Sequence, residues 1–275
     1  MKIKKETNNN IKNENWWNEN TMSYKSWDLR ENERGQNDAK SIENVNREYI
    51  SNNTYLSGFF KIKNSEKNNN ISKFENVLDI GCGWGSSSIL LSEIYNHVYA
   101  IDISLVSVKN AKKNIELNNK KNITLKKLDA ENLDYNNFFD FVYSWGAIHH
   151  SINPSKVYSN MFKSLKNNGE FMIMVYNKIS LRYWVKGFYQ LFVKLKIFKG
   201  YNFESVQKFF TDGYYHKHYN PIKLIDELKE IGFKDLNYQL THMNKSYVPF
   251  LKKNSYLDNL LKKKFGWLLI VAGRK

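Results

Sequence analysis

An α/β fold on a mostly parallel, doubly wound sheet is the architecture that this chain's patterning implies. Three observations carry it. Between Phe74 and Tyr176, short apolar runs alternate with amphipathic stretches long enough to cross back over a sheet. A glycine-rich turn, "GCGWG" (Gly81–Gly85), joins one apolar run to the next helix-like stretch. Further on, "PSKVYSNMFKSLKNNG" opens with Pro154 in its first turn and closes on Gly169, the asymmetry expected of a helix.

Residues 1 to about 70 are polar and Asn-rich, with Trp16, Trp17, Tyr24, Trp27, Tyr49, Tyr55, Phe59 and Phe60 spaced among them. The first dozen residues read as a loose tail. "SIENVNREYISNNTYLSGFF" (Ser41–Phe60) has apolar residues near helical spacing, and "KIKNSEKNNN" (Lys61–Asn70) reads as a solvated linker. "NVLDI" is then a buried strand, and "SSSILLSEIY" a helix whose first turn is rich in capping serines. "HVYAID" is a second strand, followed by an amphipathic helix from Ser104, and "ITLKKLD", "FFDFVYSW" and "EFMIMVY" complete the strand series. Beyond Tyr176 the regularity lapses. "NKISLRYWVKGFYQLFVKLKIFKG" looks helical and aromatic, and "YNFESVQKFFTDGYYHKHYNP" looks irregular. A helix ("IKLIDELKEIG") and two strands ("FKDLNYQLTHM" and the closing "FGWLLIVAGRK") follow.

The composition narrows the function classes. A hydrophobic content of 41% over 275 residues is enough for a full core and rules against a disordered polymer. No window approaches the roughly 20 apolar residues of a membrane span, and the polar start has no signal-peptide core. The single cysteine, Cys82, permits no internal disulfide, so a reducing, cytoplasmic setting is expected. The formal charge of +15 invites a nucleic-acid reading, but scattered lysines and Asn runs favour compositional drift. The same charge makes an anionic small-molecule acceptor electrostatically easy.

A strand ending in Asp-x-Gly-x-Gly-x-Gly sets backbone N–H groups and a helix start against a ligand. Asp102 ends the next strand about 20 residues later, where an acid accepts from ribose hydroxyls. Two ligand classes fit. A dinucleotide wants its third glycine one position later than Gly85, and Asp79 before the loop suits a cation better than a pyrophosphate. S-adenosylmethionine (SAM) brings both an adenosine and an ammonium, and the loop favours it; a ligand-free glycine turn is the third reading.

With those residues in place a resemblance is visible. "VLDIGCGWG", "YAIDIS", "LDAENL", "FDFVYSWGAIHH" and "SLKNNGEFMIMVY" have the order and spacing of class I SAM-dependent methyltransferases over about Asn76 to Tyr176. The Trp-rich opening and "SLRYW" followed by "TDG" are similar to a small-molecule subgroup. The resemblance implies a Rossmann-like, seven-stranded, mostly parallel sheet whose last strand inserts antiparallel. It implies residues 1–70 as a tail and helical lid segment, 71–275 as the methyltransferase domain, and 177–232 as a helical and loop insertion on the substrate side. It places Asp79, Gly81, Gly83 and Gly85 around the methionine part of SAM, and Asp102 on the ribose. Ile103 would lie against the adenine, with Asp129 and the Ala130 N–H bonding it, and Ser144 and Trp145 under the sulfonium. The expected activity is methyl transfer from SAM to a small molecule; RNA or protein acceptors and a catalytically silent SAM binder are the alternatives.

Catalysis has fewer markers. His149 is the candidate base, although "HH" reads more readily as structural, since adjacent residues of an extended segment point opposite ways. Trp17, Tyr24, Tyr176 and Trp184 are candidates for the substrate side. No spacing supports a metal site. The oligomeric state is open.

Overall fold

The computed structural model describes residues 2–21, 39–69, 74–242 and 255–275. At its centre runs β1 (Asn76–Ile80), whose apolar residues are buried because both faces of the strand are covered. Parallel partners flank it: β2 (His97–Asp102) and β3 (Ile123–Lys127) on one side, β4 (Phe139–Trp145) and β5 (Leu165–Asn177) on the other. The full order is β3-β2-β1-β4-β5-β8-β7. Strand β8 (Leu268–Arg274) lies antiparallel between β5 and β7 (Lys234–Thr241), as the resemblance implies. The eighth strand, β6 (His218–Tyr219), is two residues long and pairs with the end of β5.

Side chains alternate across this sheet with a period of two. Leu78, Ile80, Val142, Phe171, Ile173, Leu269 and Val271 face a core closed by α6 (Pro154–Ser164) and α8 (Pro221–Ile231). Val77, Val98, Phe141, Tyr143, Trp145, Met172, Met174 and Ile270 face the other, which receives Tyr49, Leu56 and Phe60 from α2 (Ala39–Asn52) and α3 (Thr54–Asn68). At such sites, truncating one large apolar side chain to alanine costs about 2–5 kcal/mol.

Several expectations change. The helix read over Ser41–Phe60 is two helices parted at Asn53, whose side chain donates to the Tyr49 carbonyl and accepts from Trp145 Nε1. The supposed linker is the second half of α3, held to the sheet by Lys63, which bridges Glu66 and Glu170 at 2.8 and 2.7 Å. The loose tail is helical: α1 (Lys2–Glu19) docks through Asn13, Asn18 and the Glu14–Lys127 ion pair. Helix α6 stops at Ser164, because Leu165 already pairs with Phe139 in the sheet. Gly169 therefore sits inside β5, where a Cβ would stand 3.1 Å from the Phe139 carbonyl oxygen. The helical stretch after Tyr176 breaks up. α7 covers Leu181–Phe188, then single turns follow at Tyr189–Val193 and Lys196–Lys199, bounded by left-handed Leu195 and Gly200. Helix α9 (Tyr256–Phe265), ahead of β8, was not foreseen. Among the described residues no helix is long and apolar enough to cross a membrane.

Candidate active site

The carboxyl ends of β1, β2, β4 and β5 open into one cleft, where parallel α/β sheets place ligands. Its floor is Gly81, Gly83, Trp145, Gly146 and Met174, and one wall is Asp102, Ile103, Asp129 and Ala130. His150, Ser151 and Tyr176 form the far end, and Asn13 and Trp17 of α1 close the roof. The space between these walls, open mouth included, is about 980 Å³.

The glycine turn is shaped by the strands around it. The N–H groups of Gly81 and Cys82 both donate to the Ile101 carbonyl, at 2.8 and 3.0 Å, tying the turn to β2. Gly81 has φ +72°, and a Cβ there would stand 2.1 Å from that of Ala147. Gly81→Ala is therefore expected to cost about 2–4 kcal/mol, from left-handed strain plus overlap. In melting experiments Ala147→Gly should restore part of that loss; no recovery would show that the overlap is not the cause. Around Gly83 a Cβ would meet nothing within 4 Å, which leaves the turn open toward the cleft.

Asp102 is fixed by two backbone donors, Gly83 N–H to Oδ2 at 2.9 Å and Ser104 N–H to Oδ1 at 2.8 Å. Burial raises its carboxyl to about 6 against those two bonds. Ser104 in turn caps α5 (Leu105–Leu117) by accepting from Ser107 N–H. Asp129 caps the short turn Ala130–Asn132 by accepting from Glu131 N–H, and burial raises its carboxyl too.

Three expected cofactor residues stand away from the cleft. Asp79 Oδ2 takes the hydroxyl protons of Ser87 and Ser88, both at 2.6 Å, and burial raises its carboxyl to about 6. Asp79 is thus turned toward the start of α4 (Ser86–Leu91) instead of the cleft. For the same reason the serines do not cap that helix; Gly85 occupies the cap position without a side-chain bond. Gly85 faces Ala111 of α5, where a Cβ would lie 3.3 Å from its Cβ. Ser144 is buried and donates to the Ile80 carbonyl, pinning β4 to β1. Trp145 is in the cleft as expected, with its ring along that of Tyr143.

The histidine pair is also corrected. Residues Ile148–His150 form one turn of 3-10 helix, so the extended-chain reasoning fails. His149 is fully buried against Tyr176, ring centroids 3.9 Å apart, and does not line the cleft. His150 does. Its Nδ1 donates to the Tyr215 carbonyl at 2.9 Å, because a carbonyl oxygen can only accept, and its buried Nε2 has no partner among the described residues. Burial pushes its pKa down to about 3, so the ring is neutral near pH 7. The "TDG" stretch explains its place: Gly213 has φ +94°, and a Cβ there would stand 2.4 Å from His150 Nδ1. Gly213→Ala should therefore displace the ring and lower turnover about tenfold or more while leaving cofactor affinity near its original value. Equal turnover would show that the loop does not hold His150.

On the substrate side, Tyr176 and Trp17 line the cleft, and Trp17 meets His150 edge-on at 4.8 Å. Trp184 does not; it is half exposed on α7 and packs on Phe203. Tyr24 lies outside the described residues. His150, Asn13 and Glu131 are the residues that sequence reasoning missed. Asn13 donates to the His150 carbonyl at 3.0 Å, and Glu131 accepts from Ser151 and the Asn153 N–H behind it. Only "HH" itself offers a signal in the sequence, and of the pair it is His150 that lines the cleft. Among the described residues no group of side chains is placed to hold a metal ion.

Comparison with known proteins bears on the domain and its fold. A family model described as "Methyltransferase domain" matches residues 71–207. Phosphoethanolamine N-methyltransferase 1 of Triticum aestivum is 32% identical over 104 residues, which is 37% of this chain and 21% of that protein. Ribosomal protein L11 methyltransferase of a Thermoanaerobacter species is 48% identical over 54 residues, 19% of this chain and 18% of that protein. The chain thus spans about a fifth of the length of these curated relatives. Among solved structures, a Haemonchus contortus phosphoethanolamine N-methyltransferase 2, in complex with phosphomonomethylethanolamine and S-adenosylhomocysteine, matches at TM-score 0.52. It is 18% identical and covers 74% of this chain and 49% of its own. An S-adenosylmethionine-dependent methyltransferase from Mesorhizobium loti matches at TM-score 0.51 with 18% identity, covering 73% of this chain and 90% of its own. With the matched domain, the 3-2-1-4-5 parallel order and the antiparallel last strand together, residues 71–207 carry a methyltransferase domain, and the fold is that of the class I, Rossmann-like SAM-dependent methyltransferases.

Proposed function

We propose that the chain transfers the methyl group of SAM to a small-molecule acceptor. One observation carries the reading: a ribose-type acid, Asp102, and a buried, unpartnered imidazole nitrogen, His150 Nε2, share one roofed cleft. The residues present fit the cofactor. Asp102 would accept from the ribose hydroxyls, Ile103 would offer an apolar side to the adenine, and Asp129 with the Ala130 N–H would supply an acceptor and a donor for its edge. Gly81 and the open space at Gly83 leave room for the amino-acid end, and Trp145 forms the floor. When bound, SAM supplies an electrophilic methyl on a sulfonium. The chain's own part is to hold the two reactants in line, exclude water beneath α1, and accept a proton or hydrogen bond from the acceptor at His150 Nε2.

A small acceptor suits a cleft roofed by Asn13 and Trp17, and the phosphoethanolamine enzymes among the relatives favour an anionic one. Among the described lining residues there is no lysine or arginine, so the positive charge acts on such an acceptor as a field and not through a contact. Residues 177–232 form the substrate-side insertion in this reading, and the single cysteine fits a reducing, cytoplasmic setting.

Calorimetry is expected to show SAM binding, with Asp102→Ala weakening it by about 5- to 150-fold, the effect of leaving buried hydroxyls unpaired. Tight NAD(P)H binding without SAM binding would overturn the assignment. A labelled-methyl screen of metabolite extract against total RNA and protein then identifies the acceptor class; efficient labelling of RNA or protein alone would replace the small-molecule reading.

A further inference from the structure

Helix α7 and the turns after it carry an apolar face that no described part of the chain covers. Trp184, Phe188, Tyr189, Phe192 and Leu195 are exposed there, and Phe198 is 84% exposed. The rings of Phe188 and Phe192 meet at a tilt with centroids 4.7 Å apart, so the apolar groups adjoin one another instead of being scattered singly. Proteins in water seldom leave such a cluster bare without a use for it.

Charge says what the use is. From Asn177 to Phe203 the chain has five lysines, one arginine and no acidic residue. The ammonium groups lie among the rings: Lys194 over Tyr189, Lys196 over Phe209 at 3.7 Å, and Lys208 over Tyr201. Aromatic side chains at the level of lipid headgroups, with lysines reaching phosphates, are the chemistry of a segment lying in an anionic membrane interface. A second copy of this chain is a poorer occupant. Two such faces meeting about a two-fold axis would oppose like charges, with no carboxylate in the segment to pair them.

We propose that residues 181–199 dock the protein on an anionic lipid surface. Helix α7 begins four residues after the end of β5, so the docked segment follows directly on the carboxyl end of a strand that lines the cleft. The inference stands whatever the cleft methylates.

The full chain is to be sedimented with vesicles of phosphatidylcholine alone and with vesicles containing about a third phosphatidylglycerol. Binding is expected to the anionic vesicles, at least about tenfold weaker to the neutral ones, and weakened by added salt. The double variant Phe188→Asp/Phe198→Asp should lose at least about tenfold in partitioning. Tyr256→Asp, at an equally exposed site on α9, should bind like the parent. Lys194→Glu/Lys199→Glu provides a second arm in case the aromatic variant melts early. Absence of vesicle binding, or binding that both double variants retain, overturns the proposal. A dimer in sedimentation equilibrium that the aromatic variant dissociates, without vesicle binding, would also overturn it and assign the face to self-association.

Discussion

His150→Ala is expected to lower kcat by about 100- to 10,000-fold, the usual contribution of a positioned acid–base group, with SAM affinity changed less than about threefold. The reason is geometric. The Tyr215 carbonyl accepts a hydrogen bond from Nδ1–H, which leaves the Nε2 lone pair as the ring's open function, and that atom is buried at the cleft's end. Burial, the main cause of its low pKa, keeps the ring neutral and able to accept near pH 7. An anionic acceptor beside Nε2 would strengthen it as a base, because a neighbouring negative charge favours the imidazolium. The contrast with its neighbour sharpens the test. His149→Phe replaces a ring packed on Tyr176 and should alter kcat by less than about fivefold. Measured on one acceptor, equal losses from both variants would refute the assignment, as would a His150→Ala enzyme within threefold of the parent.

The second large effect is acid lability. His149, His150, His216 and His218 all have pKa values lowered, in each case mainly by burial. Unfolded, each would protonate near 6.5. The unfolded chain therefore binds more protons below that pH, so these groups contribute stability above about 6.5 that is lost as pH falls toward their folded values. Asp79 and Asp102 work the other way. Their carboxyls, raised to about 6, protonate first in the folded chain and contribute stability at low pH that is lost as pH rises through 6. Asp129, whose carboxyl burial also raises, acts on the acids' side. The four histidines outweigh the three acids, so melting temperature should hold steady above pH 7 and fall as pH drops below about 6.5. His149→Phe should make that slope shallower by about one proton. A melting temperature constant from pH 7.5 to 5 would show that the histidines are not buried neutral.

Much of the fold was legible because its causes are local. Burial on both faces makes β1, β4 and β5 near-continuous apolar runs, and Pro154 and Ser104 mark helix starts that the structure retains. The places of Gly81, Gly83, Asp102, Asp129, Ala130 and Trp145 beside the cleft follow from a similar cause: they stand at or just past the ends of strands, so their neighbours along the chain position them. The N-terminal segment was not. Its helices are polar on most of their surface, and α1 gains its place from partners beyond residue 100, such as Ser104, Lys127 and His150.

Asp79 illustrates the boundary well. An acid before a glycine turn suggests a ligand contact, yet which way it faces depends on whether hydroxyls lie behind it, and Ser87 and Ser88 do. The histidine pair is the same lesson at longer range. His150 faces the cleft because Tyr215, 65 residues on, accepts from its ring and Asn13, 137 residues back, holds its carbonyl. The sequence by itself determined the sheet, the glycine turn and the placing of Asp102 and Asp129 at or just past strand ends, since strand period and turn chemistry are written in adjacent residues. Only the tertiary structure decided which side chains reach the cleft and what roofs it. Those choices are made by hydrogen bonds and packing between segments that no local pattern brings together.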